Sequence, residues 1–321
     1  MNGPRIRLGV VMDPIRDIHF PKDSTLALLL AAQARGWSLH YMEQGDLFLE
    51  DGRARARSRP LEVRDDPEDW FTLGPAETHP LAELQVILMR KDPPFDMEYI
   101  YSTYLLELAM AEGCLVVNHP AALRDANEKL FTAWFPQCCP PTLVTRDPAR
   151  IRAFLVQERD LVVKPLDGMG GASVFRLAPG DSNTGVILET VTDRGRRTVM
   201  AQRFLPEFIQ GDKRILLIDG EPVPYALARI PAAGEGRANL AVGGRGEGVE
   251  LTDHDRWICT QVGPRLREKG LLLVGLDVIG RYLTEINVTS PTCIRELDTL
   301  YDLDIAGDLM AAIARRLEAR A

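Results

Sequence analysis

The first 117 residues alternate between short apolar runs and segments with helical periodicity. A typical run is Arg5–Met12, which is rich in Val, Ile and Leu and ends at Asp13, as expected of a buried strand. Strands that alternate with helices favour a parallel sheet with helices packed on its faces. We therefore predict an α/β fold for this part of the chain. Further strands are expected at Leu39–Met42, Val86–Met89 and Leu115–Val117, and helices from Asp23 or Ser24 to about Gly36 and from Met97 to Glu112.

Residues 50–80 lack this alternation. They are polar and contain Pro60, Pro67, Pro75 and Pro80. We predict loops here, with at most a short edge hairpin.

Two charged residues, Asp13 and Arg90, directly follow predicted strands. The carboxyl ends of strands are where α/β sheets bind ligands, so both are candidates for a binding site.

The length of 321 residues suggests about two domains, with a boundary near Asn118-His119-Pro120. A helix from Asp125 to about Phe135 is expected next. Beyond it, short turns such as Asp219-Gly220 join predicted strands and favour a mostly antiparallel sheet. The strands are predicted at 161–164, 173–177, 198–204, 213–218 and 222–230, and the helices at 186–191, 253–269 and 305–319.

Charge and composition argue against several classes of protein. Lys and Arg number 38 against 46 Asp and Glu, a net charge of −8, whereas nucleic-acid binding needs a basic face. No apolar run approaches the roughly 20 residues that span a bilayer, and the N-terminus lacks the apolar core of a signal peptide, so we expect a cytoplasmic protein. The five cysteines lack the spacing of a disulfide framework or zinc site. We expect Cys138 and Cys139 to be packed thiols.

A glycine-rich turn, Asp167–Ser173, follows the predicted strand that ends at Lys164 and Pro165. Glycines let backbone N–H groups approach phosphate oxygens closely, and the lysine can place its ammonium group beside them. No Gly-Lys-Ser/Thr follows, so the turn is not a P-loop. A strand rather than a helix comes after it, which argues against a dinucleotide fingerprint. The pattern favours a flap over a triphosphate, although such turns are often only hairpins.

A second cluster lies in the predicted hairpin 272–287. With a three-residue turn at 280–282, Ile279 would pair with Leu283, Asp277 would face Glu285, and Asn287 would lie on the same face. Facing carboxylates are destabilising unless a cation offsets their repulsion, and apolar neighbours indicate burial. The hairpin therefore predicts a site for Mg²⁺, which prefers oxygen ligands and substrate phosphates.

Several arginines accompany these features. Arg203, Arg214, Arg229 and Arg295 lie on or near predicted strands of the same half, where converging guanidinium groups would form an anion pocket. The segment 231–248 holds six glycines and shows no periodicity, which favours a functional lid carrying Arg237 and Arg245 over a solvated surface loop.

Together these residues resemble the ATP-grasp fold and, more closely, the prokaryotic glutathione synthetases. The resemblance extends over essentially the whole chain. It is carried by MDP (12–14), KDS (22–24), MRKDPPFD (89–96), NEKLFTAWF (127–135), KPLDGMGGAS (164–173), DGEPVPY (219–225) and LTEINVTSPTCIRE (283–296).

The resemblance implies an α/β domain at 1–122, an ATP-grasp lid at 123–200 and an ATP-grasp core at 201–321. It also implies an ADP-forming ligase that joins γ-glutamylcysteine to glycine, using ATP and two Mg²⁺ ions or Mn²⁺, and a homotetramer. The implied ATP-binding residues are Lys129, Lys164, Gly168, Gly170, Gly171, Ser173, Gln202, Arg203, Phe204, Leu205 and Asp212. The implied metal ligands are Asp277, Glu285 and Asn287, and the implied catalytic residues are Arg214 and Arg229. The implied substrate-binding residues are Asp13, Ser24, Arg90, Ser290 and Arg295.

Two alternatives remain open at this point. One is another carboxylate–amine ligase of the same fold, such as one that makes D-alanyl-D-alanine. The other is a nucleotide-binding regulator without catalysis, which would be expected to lack one of the three metal-ligand residues.

Overall fold

Three β-sheets and the helices around them make up the part of the chain that the structure describes. The computed structural model describes residues 6–168, 171–232 and 244–320. Within these ranges, no helix has the length and apolar character needed to cross a membrane.

The N-terminal sheet has eight strands, and its centre is parallel as predicted. The central order is β2-β1-β7-β8, with parallel pairing throughout. The strands are β1 (Arg7–Val11), β2 (Ser38–Met42), β3 (Leu47–Glu50), β4 (Arg53–Val63), β5 (Phe71–Leu73), β6 (Glu77–Pro80), β7 (Val86–Met89) and β8 (Leu115–Val117).

The prediction of loops over residues 50–80 is wrong. This segment contains β4, which pairs antiparallel with β2, β3, β5 and β6. Ala54, Ala56 and Ser58 of β4 are buried, and arginines alternate with them. The period of two is that of a half-buried strand, but small side chains on its inner face hide it from a search for large apolar residues.

Helices α1 (Ser24–Ala34), α2 (Met97–Ala111) and α3 (Pro120–Asp125) accompany this sheet. The first two begin where the sequence predicts, because Asp23 and Asp96 cap them by accepting backbone N–H groups. The predicted helix 125–135 is wrong. Asn127 accepts from the backbone N–H groups of Lys129 and Leu130, which stops α3 and starts a 3₁₀ turn, Leu130–Trp134.

The second sheet is antiparallel and has the order β11-β10-β12-β9. Its own core holds Val163, Ala201 and residues from the two helices that cover one face, α4 (Pro148–Glu158) and α5 (Thr184–Val191). The strands are β9 (Thr142–Thr145), β10 (Leu161–Pro165), β11 (Phe175–Leu177) and β12 (Val199–Arg203).

The third sheet has the order β15-β14-β13-β16-β17 and is antiparallel. The Asp219-Gly220 turn predicted between β13 and β14 is confirmed, with positive φ at both residues. The strands are β13 (Asp212–Ile218), β14 (Glu221–Ile230), β15 (Arg245–Glu250), β16 (Leu273–Ile279) and β17 (Tyr282–Asn287), and the helices are α6 (Asp253–Glu268), α7 (Ile294–Tyr301) and α8 (Ile305–Glu318).

The last residues of the predicted loop 231–248 are not structureless. Residues 245–248 belong to β15 and pair with β14. A Cβ at Gly248 would stand 2.5 Å from the Tyr301 ring, which in turn stacks on Tyr225. The glycine therefore admits close packing of a strand against aromatic rings. Arg237 lies outside the described residues.

Candidate active site

A cavity of about 420 Å³ lies where the three sheets meet. Lys129 precedes the 3₁₀ turn after α3, Lys164 lies on β10, and Asp277 and Glu285 lie on β16 and β17, and all four side chains line the cavity. The structure thus brings together lysines and carboxylates that are more than a hundred residues apart in the chain.

The β16–β17 hairpin places Asp277 opposite Glu285, and Asn287 opposite Gly275. The predicted pairing of the carboxylates is confirmed, but the predicted turn is wrong. Ile279 pairs with Tyr282 around a two-residue turn, and a bulge beside Asp277 restores the register. The Asn287 amide nitrogen donates to the Gly275 carbonyl (3.3 Å), and no hydrogen bond within the described residues occupies its Oδ1.

Asp277 is held by two arginines. Arg214 lies directly opposite it on β13 and donates from Nε to Oδ1 (2.6 Å) and from Nη2 to Oδ2 (3.2 Å). The Arg229 Nη2 atom lies 2.9 Å from Oδ2. Burial by itself raises the pKa of Asp277, but the two guanidinium groups outweigh it and hold the pKa well below its ordinary value. The carboxylate is therefore charged.

Glu285 is held by two lysines. Its Oε1 atom lies 3.3 Å from Lys164 Nζ and 3.7 Å from Lys129 Nζ. Burial raises the pKa of Glu285, yet the two ammonium groups lower it overall. Lys129 also donates to the Gly168 carbonyl (2.6 Å) and to Glu128, so it links the carboxylates to the glycine-rich turn.

Asp212 is a further charged residue of the cavity lining, which is called the charged wall below. It accepts from Arg229 (2.5 Å), while its Oδ1 is buried without a partner among the described residues. Burial raises the pKa of Asp212 to about 6, although the Arg229 charge opposes this.

The charges of the wall balance one another. Five cationic side chains and five carboxylates line the cavity, so their formal charges cancel. The cations are Lys129, Lys164, Arg203, Arg214 and Arg229, and the carboxylates are Asp92, Glu128, Asp212, Asp277 and Glu285. Such a wall can bind a polyanion together with metal cations at little net electrostatic cost. Phosphate oxygens would replace the carboxylates as partners of the cationic side chains, and metal cations would replace those side chains as partners of the carboxylates.

The donor set fits a hard divalent cation. Asp277, Glu285 and Asn287 offer carboxylate and amide oxygens on one face of the hairpin. Within the described residues, no group of three or more His, Cys, Asp or Glu side chains forms a protein-only metal cage. Mg²⁺ commonly takes one or two carboxylates from the protein and its remaining oxygens from water and phosphate.

The glycine-rich turn connects β10 and β11, which pair antiparallel as predicted. Gly168 and Gly171 line the cavity, and Gly171 has a φ of +77°. Ser173 lies in the turn with a φ of +57° but does not line the cavity. Gly170 lies outside the described residues.

One part of the cavity lining is mostly apolar and is called the apolar slot here: it comprises Val162, Phe204, Leu205, Phe208 and Ile279, together with Gln202 and Arg203. Gln202, Arg203, Phe204 and Leu205 line it in succession along the end of β12. Arg203 donates to the hydroxyl group of Tyr282 (3.0 Å), which ties this segment to β17.

Of the predicted substrate-binding residues, only Ser290 lines the cavity. Arg90 is buried and donates to Thr25 (3.0 Å) and to the Pro291 carbonyl (3.1 Å). The others do not line the cavity: Asp13 pairs with Lys91 and accepts from the backbone of the lining residue Asp92 (2.9 Å), Ser24 accepts from the Ile294 backbone, and Arg295 pairs with Asp65. The predicted lid residue Arg245 lies at the start of β15 and pairs with Glu247 (2.7 Å).

Two lining carboxylates escaped the residue-by-residue predictions. Asp92 accepts from the Ser290 hydroxyl (2.5 Å), and Glu128 binds Lys129. Both lie within motifs noted in the sequence, beside Arg90 and Lys129, so adjacency to a predicted site residue was the available signal.

Family models and relatives agree with this arrangement. The model described as "Prokaryotic glutathione synthetase, N-terminal domain" matches residues 6–124, and "Prokaryotic glutathione synthetase, ATP-grasp domain" matches residues 128–302. The glutathione synthetase of Pseudomonas putida is 66% identical over 98% of this chain and 99% of its own length. That of Escherichia coli K12 is 59% identical over 98% and 99%.

Solved structures show the same fold at low identity. D-cycloserine synthetase DcsG has a TM-score of 0.67 and 16% identity, covering 97% of this chain and 99% of its own. The ATP-grasp ligase PsnB, solved with a minimal precursor, Mg and ADP, has a TM-score of 0.61 and 18% identity, covering 97% and 98%. The fold is thus that of ATP-grasp ligases. With both family models matching and identity near 60% over almost its full length, the chain belongs to the prokaryotic glutathione synthetase family.

Proposed function

We propose that the chain is an ADP-forming ligase that joins γ-glutamylcysteine to glycine, making glutathione and phosphate. The observation that carries the proposal is the convergence of Asp277, Glu285 and Asn287 with five cationic side chains at one cavity. The near full-length identity to glutathione synthetases selects the peptide among the possible carboxylate substrates.

The chemistry explains why such a wall is needed. A carboxylate does not react directly with an amine, because oxide is a poor leaving group. Transfer of the ATP γ-phosphoryl group gives an acyl phosphate, which the glycine amine attacks with loss of phosphate. Two unit negative charges about 4 Å apart repel by roughly 4 kcal/mol at an effective dielectric near 20, so bringing a carboxylate to a triphosphate requires cations aimed at the phosphates.

Each side of the wall has a proposed role. Lys129 and Lys164 hold ATP phosphates, and the glycine-rich turn 168–173 covers them. Gln202 to Leu205 contact adenine, and Asp212 faces the ribose. Arg214 and Arg229 orient the peptide carboxylate and stabilise the transferring phosphoryl group.

A divalent metal is expected of an ATP-grasp ligase. Asp277, Glu285 and Asn287 would hold it, with two Mg²⁺ ions, or Mn²⁺, as the proposed complement. When bound, the metal neutralises phosphate charge.

The peptide end of the site is proposed to include Ser290, with Asp92 beside it on the cavity wall. Arg90, buried beneath Pro291, would act by holding the 289–292 segment in place. Asp13, Ser24 and Arg295 would act by positioning as well, because their side chains do not line the cavity and are bound to neighbouring segments.

The division into domains 1–122, 123–200 and 201–321 remains part of the proposal, as does a cytoplasmic location, where ATP is supplied. We also propose a homotetramer. The exposed face of α2 carries Met97, Tyr101, Tyr104 and Leu108 at spacings of four, three and four residues, a pattern typical of helix–helix contacts between copies of a chain. Light scattering of the wild type and of Tyr104→Glu tests this; a monomeric wild type would contradict it.

The reaction is tested by incubating the purified protein with ATP, Mg²⁺, γ-glutamylcysteine and single amino acids. Phosphate release should require both γ-glutamylcysteine and glycine. Release with D-alanine alone would favour a D-alanyl-D-alanine ligase, and binding without turnover would favour a regulator.

A further inference from the structure

Thr142 and Gln202 form a row across the second sheet with Val162. The three residues lie directly opposite one another on β9, β12 and β10. Directly opposite residues project from the same face of a sheet, and their neighbours Val163 and Ala201 lie in the core on the other face. Val162 and Gln202 line the cavity, so this row faces the apolar slot.

The contacts of Thr142 establish which group donates and which accepts in its hydrogen bond with Gln202. The Thr142 hydroxyl donates its single proton to the Pro140 carbonyl (2.7 Å). It can therefore only accept from Gln202, whose Nε2 lies 3.1 Å away. The amide nitrogen is held on the Thr142 side, and Oε1 is turned away from it. No donor among the described residues binds that oxygen, although Gln202 is only 4% exposed.

The residues that line the slot beside Gln202 have the chemistry of a base-binding site. Phe204, Leu205 and Phe208 line it together with Ile279 from the third sheet. These apolar side chains can contact the two faces of a planar ring, but they cannot distinguish one purine from another. Distinction between purines requires a polar group of fixed orientation at the ring edge.

We propose that Thr142 is a positioning residue that sets nucleobase selectivity by holding the Gln202 amide with its oxygen towards the base. That oxygen accepts a hydrogen bond from the exocyclic amine of adenine. A purine with a carbonyl oxygen at the same position meets acceptor against acceptor and is rejected. The inference rests on the proposed function only in taking a nucleotide as the occupant of the slot.

Removal of the Thr142 hydroxyl should relax this selectivity. In Thr142→Val the amide loses its fixed partner and can rotate, so that its NH₂ group faces the slot. Binding of an oxo-purine then improves while binding of adenine weakens. Thr142→Ser keeps the hydroxyl and should behave as the wild type.

The experiment is titration calorimetry of ADP and of IDP, each with Mg²⁺, into the full-length wild type and the variants. IDP differs from ADP in carrying a carbonyl oxygen in place of the amine at position 6 and a proton on N1; the N1 difference is the same for every variant, so the change in the ratio reports the contact at position 6. We expect the wild type to prefer ADP by at least a hundredfold, and Thr142→Val to reduce this ratio at least tenfold. Thr145→Val removes a hydroxyl from the same strand without a contact to Gln202, so it should leave the ratio unchanged. Should Thr142→Val fail to fold, Thr142→Ala gives the same readout.

A ratio in Thr142→Val within twofold of the wild type overturns the inference, and so does an equal fall in Thr142→Ser. The assay uses no peptide, so its failure can be told apart from failure of the proposed function. If the protein prefers ADP through Thr142 but joins no substrates, only the proposed function is contradicted. If the protein is a ligase whose ADP-to-IDP preference does not change in Thr142→Val, only the inference is contradicted.

Discussion

At the scale of single residues, the charged groups of the cavity serve as partners for one another. Asp277 is paired with Arg214 and Arg229, and Glu285 with Lys164 and Lys129. Buried charges persist only when paired, so these contacts keep the site folded without ligand. The same groups are placed to exchange their partners for phosphate and metal.

The first prediction concerns Glu285→Ala. We expect kcat to fall by several orders of magnitude, because the variant loses a proposed metal ligand and the partner of both lysines, while γ-glutamylcysteine still binds. Steady-state kinetics and peptide titration measure the two effects. Glu221→Ala, an exposed change on β14, should leave kcat unaltered. Near-normal turnover in Glu285→Ala would refute the metal assignment.

The second prediction concerns pH. Burial, with smaller contributions from the Arg7 charge and from His79, lowers the pKa of His40 from 6.5 to about 4. Between pH 6.5 and 4 the unfolded chain therefore takes up a proton that the folded chain does not, and stability is lost as the pH falls. His40→Gln should remove roughly 1–2 kcal/mol of this loss, allowing for the half-exposed ring.

Urea denaturation at pH 8 and pH 5 measures the effect. At pH 8 the ring is neutral in both states, so only the difference between the two pH values reports the titration. An equal acid loss in variant and wild type would contradict the prediction.

At the scale of elements, close contact between the backbones of two segments limits which side chains a turn or helix can accommodate. The Asp219-Gly220 turn packs against α6, where Gly263 lies beside it. A Cβ at Gly263 would stand 2.2 Å from the Gly220 carbonyl oxygen. This contact between a turn and a helix was not readable from either segment alone.

The third prediction compares two helical glycines. Gly263→Ala should lower the free energy of unfolding by about 3 kcal/mol, because backbone must move to admit the methyl group. Gly185→Ala in α5 meets only the Arg152 side chain at 3.5 Å, so it should raise that free energy by about 0.5–1 kcal/mol. Chemical denaturation followed by circular dichroism tests both. Equal effects would show that helix propensity alone governs these sites.

At the scale of the whole molecule, Asn118 joins the first and third sheets. Its buried amide donates to the carbonyls of Leu273 and Val288, both at 2.7 Å, and accepts from the backbone N–H groups of Leu272 and Leu273. One side chain at the end of β8 thus satisfies four backbone groups of the ATP-grasp part.

The fourth prediction is that Asn118→Ala lowers the free energy of unfolding by about 3–5 kcal/mol, since those backbone groups lose their partners in the interior. Asn183→Ala, an exposed residue whose side chain caps no helix, should change it by less than about 0.5 kcal/mol. Denaturation curves of the two variants and the wild type measure both changes in the free energy of unfolding. A small loss in Asn118→Ala would mean that water or local rearrangement replaces the four bonds.

Local sequence patterns were enough to predict the parallel centre of the first sheet, the hairpins of the third, and the facing of Asp277 and Glu285. These depend on local periodicity and turn chemistry, which neighbouring residues carry. Three features became clear only from the folded chain: β4 is a strand, Asn127 ends α3, and a bulge sets the hairpin register.

Packing between distant segments also determines which arginines converge at the cavity. Arg214 and Arg229 converge on Asp277, whereas Arg295 pairs with Asp65 and Arg90 is buried under Pro291. All four have the same chemistry in the sequence. Their separation into cavity and scaffold depends on strand register and on packing between distant segments, which no local pattern specifies.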